Sequence, residues 1–166
     1  KVLYLGFQRY SVVCHVEDDV CLAPDSLELA WSLMDDLYQS PPFNTHFSLS
    51  FFNRLEEKDV DGDLYSVYDR ENFTPSGFVM RRQIFQKCLE TGCFDKYYST
   101  WDASANALRA RLGLKELYPK FSRSINIGSY GTNTISKEWW ADNIKLDYWA
   151  GNTLYPAGNF QVKGVW

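Results

Sequence analysis

The chain has 166 residues, 45% of them hydrophobic and 17% aromatic, which suits one folded domain with a single core and excludes a disordered segment. The formal net charge is −4 and the 17 Lys and Arg residues are scattered, which argues against non-specific binding to nucleic acid or to an anionic membrane. No apolar run reaches the roughly 18–20 residues that cross a bilayer, and residues 1–9 lack the layout of a signal peptide.

Ser11-Val12-Val13-Cys14-His15-Val16 is β-branched and apolar and ends in three acids, so it predicts a buried strand that delivers carboxylates at its C-terminal end, where ligands bind in open α/β sheets. Ala23-Pro24-Asp25 opens a helix over residues 26–38, with Leu27, Leu29, Ala30, Leu33, Met34 and Leu37 at helical spacing and Pro41 and Pro42 beyond its end. Phe47-Ser48-Leu49-Ser50-Phe51-Phe52 alternates as a strand, residues 53–63 read as a charged loop, and residues 64–68 as a further strand. Residues 78–89 predict a helix before Gly92, and residues 103–112 an Ala-rich helix ending at Gly113. The region from Tyr148 is rich in Gly and aromatics without a period, and no repeat or linker is present.

Cys14, Cys21, Cys88 and Cys93 do not form a disulfide framework or zinc pairs; Cys88 and Cys93 could pair across Glu90-Thr91-Gly92 or be two buried thiols. Asn72-Phe73-Thr74 is the single glycosylation sequon, compatible with a secreted or luminal protein. The sequence starts at Lys1 rather than Met, and a processed chain or a fragment of a longer one is expected.

Glu17-Asp18-Asp19 is the segment with a chemical purpose available. Carboxylate oxygens hold a divalent cation, which can neutralise a diphosphate leaving group; the alternative is a solvated acidic turn. Asp59-Val60-Asp61-Gly62-Asp63 imitates a calcium loop but has Gly at the fourth position and Arg70 at the twelfth, so it reads as a solvated loop. His15 and His46 have no partner histidine at metal spacing and read as core or surface residues. A nucleophile elbow and a phosphate-binding Gly-rich loop are both missing from the sequence, which sets aside serine hydrolase and P-loop chemistry.

Several ordered motifs extend this pattern: Val16-Glu17-Asp18-Asp19-Val20-Cys21-Leu22-Ala23-Pro24-Asp25, then Tyr68-Asp69-Arg70-Glu71 leading to Gly77-Phe78-Val79-Met80-Arg81-Arg82, then Trp101-Asp102, Pro119, Ser122-Arg123-Ser124 and Gly128. In these segments, which span most of the chain, the sequence resembles the inverting N-acetylglucosaminyltransferases of the N-acetylglucosaminyltransferase I and protein O-mannose N-acetylglucosaminyltransferase type. The resemblance implies an α/β fold of the GT-A type, a mixed sheet flanked by helices, with residues 1–166 forming its metal-binding and catalytic portion. It implies that Asp19 is the protein ligand of Mn²⁺, that Glu17 and Asp18 face the sugar and ribose hydroxyls of a UDP-sugar donor, and that Asp102, next to Trp101, is the general base. Read without the resemblance, Asp102 is an N-cap for the helix that follows, a role compatible with the first. Residues 129–134, with Gly131 and Asn133, correspond to a loop over the donor, and read alone they are a Gly-containing turn.

The implied reaction transfers a sugar, N-acetylglucosamine by resemblance, to a hydroxyl of a glycan or glycoprotein in the Golgi lumen, with any membrane anchor outside this chain. Departures occur at Thr74-Pro75-Ser76-Gly77-Phe78 and at Ala103-Ser104-Ala105, positions that bear on donor and acceptor choice. The uridine-binding half of the family precedes the acidic triplet, where this sequence has sixteen residues, so the nucleotide-contacting residues are expected outside it. Two other functions fit the same residues: a non-catalytic carbohydrate- or protein-binding module that uses Trp139, Trp140, Tyr148 and Trp149, and a transferase of the same fold with an unusual acceptor.

Overall fold

The computed structural model describes residues 2–39, 45–53, 64–92, 100–127, 138 and 161–162, with only the backbone for residues 34–39 and 161–162. Helix Val2–Arg9 (α1) leads into strand Val12–His15 (β1), followed by strand Val20–Leu22 (β2) and helix Ser26–Gln39 (α2). Strands His46–Ser50 (β3), Ser66–Arg70 (β4) and Phe78–Arg81 (β5) come next, then helices Arg82–Glu90 (α3) and Trp101–Arg111 (α4). Strands Lys115–Pro119 (β6), Ser124–Asn126 (β7) and Gln161–Val162 (β8) complete the set. Six strands form one sheet in the order β1-β5-β3-β6-β4-β8, while β2 and β7 pair separately. Within the large sheet β3–β6 and β4–β8 are parallel and the other pairs antiparallel, so the fold is mixed α/β with a mixed sheet and, among the described residues, four helices.

Apolar residues divide between the two faces of this sheet because successive side chains on a strand point opposite ways. Phe78 and Met80 of β5 join a cluster with Phe7 of α1, Ile84 and Phe85 of α3, and Ala105 and Leu108 of α4. Val79, on the other face, joins Leu29, Ala30 and Leu33 of α2 with Leu49, Val67 and Leu117. Strand β3 is buried at all five positions, against the half-exposed strand that its alternation predicts, because it lies inside the sheet with both faces covered. A register irregularity between His46 and Ser48 puts Phe47 in the first cluster while Leu49 joins the second, as a bulge does by turning side chains over.

The sequence-predicted helix over residues 78–89 is two elements. Residues 78–81 pair with β1 on one side and β3 on the other, and this ladder outweighs the local helical pattern until Arg82. The strand expected over residues 64–68 begins two residues later, at Ser66. Helix α4 begins at Trp101, so its N-cap is Thr100, and Asp102 lies in the first turn and not at the cap. Beyond its end Gly113 has φ +64, which a glycine adopts without strain, and its amide bonds Ala110 O at 3.0 Å. Strand β1 is an edge strand and partly exposed, not buried: α1 covers it on one side through Gly6 against Val13, while Cys14 faces outward.

A charged pair sits inside the sheet. Glu116 of β6 is 0% exposed, and its Oε2 accepts bonds from Arg70 Nε at 2.9 Å and Nη2 at 2.8 Å. Ser48 Oγ donates to Oε1 at 2.8 Å and the Thr74 amide to Oε2 at 3.1 Å, while the Arg70 guanidinium lies 4.7 Å from the centre of the Tyr118 ring. Burial pushes the Glu116 carboxyl up, and Arg70 and these donors pull it back. Such a network is tolerable only when complete, since removing one partner strands the other charge in a low-dielectric interior. Arg70→Met is therefore expected to cost about 3–5 kcal/mol of unfolding free energy, read as a lower urea midpoint at unchanged slope; a change below about 1 kcal/mol would show that Glu116 is neutral in the fold.

Candidate active site

The acidic triplet lies where the chain leaves the large sheet. Strand β1 pairs with β5 as far as His15 opposite Phe78, and the following turn closes with the Val20 amide bonded to Glu17 O at 3.2 Å. The chain then enters β2, which pairs with β7 so that Val20 lies opposite Asn126 and Leu22 opposite Ser124. That second ladder anchors Asp19 twice. The Ile127 amide donates to its backbone carbonyl at 2.7 Å, and Asn126 Nδ2 donates to its Oδ2 at 3.0 Å.

Strand β7 is itself held by Arg123, whose side chain is 0% exposed. Its Nη2 lies 3.1 Å from Asp25 Oδ2 and donates to Leu64 O at 2.7 Å, while Nη1 donates to Phe121 O at 2.7 Å. The Arg123 carbonyl accepts the Ala23 amide and the Ser26 hydroxyl, both at 2.8 Å, and its amide donates to Phe51 O at 2.6 Å. Ser124 Oγ donates to Ser76 O at 2.9 Å, beside Gly77, where a Cβ would meet the Phe51 ring at 3.4 Å and Ser124 Cβ at 3.7 Å. The Ala-Pro-Asp and Ser-Arg-Ser motifs are thus two sides of one polar knot at the C-terminal end of β3.

Helix α4 supplies the other wall. Trp101 packs at its start against Phe73 at 5.7 Å, Phe78 at 6.1 Å and His15 at 6.1 Å between ring centroids. The next residue, Asp102, is partly buried in the first turn, where the positive end of the helix dipole favours a carboxylate. No hydrogen bond holds its carboxylate to another described residue. Burial first, and then the charges of Asp19, Asp102 and Asp18, push the Glu17 carboxyl up to about 7. Asp102 and the triplet therefore share one electrostatic neighbourhood although they come from distant parts of the chain.

The carboxylates do not make a ready-built cation cage: among the described residues no three His, Cys, Asp or Glu side chains are arranged to hold a metal ion. They fit a cation bound through one protein carboxylate, Asp19, whose Oδ2 is oriented by Asn126, with the remaining ligands supplied by a bound diphosphate and water. A cation would offset the part of the Glu17 shift that comes from the charges of Asp19, Asp102 and Asp18, which is smaller than the part due to burial.

Gly131 and Asn133 lie outside the described residues, as do the rest of residues 129–134, the aromatics Trp139, Trp140, Tyr148 and Trp149, the acidic run at 59–63, and Cys93. Cys88 is buried, and Cys14 and Cys21 are exposed. The sequon at Asn72 is partly enclosed in the fold: Asn72 itself is half-buried, Phe73 and Thr74 are each 3% exposed, Thr74 Oγ1 accepts Arg70 Nη2 at 2.9 Å, and Asn72 Oδ1 accepts Asn106 Nδ2 at 3.0 Å. Two residues without a sequence signal of their own, Asn126 and His15, belong to the site. Asn126 could have been found only by knowing that β7 pairs with β2. In comparisons with known proteins, no family model matches the chain and no curated protein is similar to it.

The raised Glu17 pKa sets a direction for stability. An unfolded Glu releases its proton near its ordinary 4.5, whereas folded Glu17 holds its proton to about 7, so between these values the native state binds more protons. The contribution is complete below about pH 4.5 and is lost as pH rises through 7. Glu17→Gln is expected to melt higher than the parent above pH 7 without added metal, with the difference vanishing below pH 4.5. Parallel melting curves across pH 4–8 would show that neither burial nor the neighbouring acids raise the Glu17 pKa.

Proposed function

We propose that this chain is the metal-binding and catalytic portion of an inverting, UDP-sugar-dependent glycosyltransferase with a GT-A fold. The observation that carries the reading is the packing of His15, two residues before Glu17, against Trp101, the residue before Asp102, which brings the two acidic segments to one end of the sheet. These are two of the motifs through which the sequence resembles the N-acetylglucosaminyltransferase I type, and a mere sugar-binding surface has no use for a base beside an acidic, cation-attracting turn. The mixed α/β sheet, with the acids at a strand end, is compatible with that fold.

Asp19 would hold Mn²⁺, whose charge, when bound, offsets that of the departing diphosphate. Glu17 and Asp18 would accept hydrogen bonds from donor hydroxyls. Asp102 would take the proton of the acceptor hydroxyl as its oxygen bonds to the anomeric carbon. The bond from that carbon to the diphosphate oxygen breaks on the opposite face, which inverts the centre. Asp102 suits a base because its carboxylate is not tied by hydrogen bonds to other described residues. N-acetylglucosamine as the sugar, a glycan or glycoprotein hydroxyl as the acceptor and the Golgi lumen as the location follow from the resemblance. No helix among the described residues is long and apolar enough to cross a membrane, and an anchor would belong to another part of a longer protein.

The test is transfer from a panel of UDP-sugars to glycan acceptors by the full-length protein with Mn²⁺. Asp102→Asn is expected to lower kcat by about 10²–10⁴. Its cost in stability should stay within roughly 1 kcal/mol, the scale of a helix-dipole interaction. Asp19→Ala should abolish Mn²⁺-dependent donor binding in calorimetry. Near-parental turnover by Asp102→Asn would remove it as base, and unchanged metal-dependent affinity in Asp19→Ala would remove it as ligand.

A further inference from the structure

We propose that His15 is a positioning residue: its ring ties the strand that ends in the acidic triplet to Trp101, and so fixes where the neighbouring Asp102 stands. The proposal rests on the transferase reading for its effect on turnover, and on geometry alone for the tie itself. His15 is the last residue of β1, two positions before Glu17. Its imidazole stacks on Phe78 with 5.1 Å between centroids and an interplanar angle of 27°. It meets Trp101 edge-on at 6.1 Å and 66°. Phe73 and Phe78 bound the same indole, and both are buried in the core shared by α1, α3 and α4. Of the three described rings around Trp101, only His15 belongs to the strand that carries the acids.

The imidazole does this as a ring and not as a charge. Its Nδ1 is buried and bonds no other described group, and burial lowers the pKa, which favours the neutral ring. Aromatic pairs at such separations add about 0.5–1.5 kcal/mol beyond the area they bury, enough to select one indole orientation over its alternatives. Asp19 has a separate anchor in Asn126 and Ile127, so loss of the His15 contact should loosen the base and leave the metal ligand in place. A shift of about 1 Å in a catalytic group is worth roughly 10²-fold in rate, so partial loosening should cost about tenfold.

The experiment compares His15→Ala and His15→Phe in the full-length protein labelled with 5-fluorotryptophan, the Trp101 resonance being assigned by its loss in Trp101→Phe. The ¹⁹F line of Trp101 is expected to broaden or split in His15→Ala and to return to a single sharp line in His15→Phe. With donor, acceptor and Mn²⁺, His15→Ala should lose about tenfold in kcat while KM for the donor moves less than about twofold, and His15→Phe should recover to within about threefold of the parent. An unchanged Trp101 line in His15→Ala would overturn the tie. Turnover lost equally in both variants with Trp101 still ordered would overturn it too, and assign the role to the imidazole nitrogens. If the parent shows no transfer with any donor while the ¹⁹F result holds, the transferase reading fails and the tie stands.

Discussion

Arg123 is the residue on which the site's architecture depends. A guanidinium with no exposed surface must have its charge and its donors met inside the protein, and Arg123 meets them with Asp25, Phe121 and Leu64. Its backbone is occupied as well, by Ala23, Ser26 and Phe51. The segment after the acidic turn, the end of β3 and the start of β7 therefore cannot move independently. Removing the arginine would leave Asp25 partly buried without its cation and release the strand that holds Asp19. Energetically the pair gives specificity more than net stability, because desolvating both ions offsets much of their attraction.

A second consequence concerns how the two halves of the site are supported. The acids rest on β2 and β7 through a hydrogen-bonded ladder and the Asn126 side chain. Asp102 rests on a helix whose first residue is wedged among aromatic rings of the main sheet. One support is directional and polar, the other apolar and shape-based. The first depends on the charges around it; the second is insensitive to them. Burial, and after it the charges of the neighbouring acids, raise the Glu17 pKa.

Much of this organisation was legible in the residues, for reasons that differ by element. The strand before the triplet and the helix over residues 26–38 announce themselves because their apolar spacing and their punctuation agree. Residues 78–81 misled because Phe78-Val79-Met80 carries no alternation, and only the two flanking strands decide that it is extended. Strand β6 escaped notice because it opens with Lys115 and Glu116, and a buried charge at Glu116 makes sense only with Arg70 opposite. Helix α1 and the β2–β7 pair are short, and nothing local marks them. Within the site, Asp102 and the triplet were legible as ordered motifs, whereas Asn126 and His15 become meaningful only through contacts made across the chain.

The sequon at Asn72 has a bearing on how the protein would be made. In the folded chain Thr74 is bonded to Arg70 and Phe73 lies in the aromatic cluster, so an enzyme that needs the sequon extended would find it most readily while the link between β4 and β5 is still open. Attachment there would compete with folding in time, whereas the Asn72 side-chain carbonyl that accepts from Asn106 would stay free to hold the link against α4 afterwards.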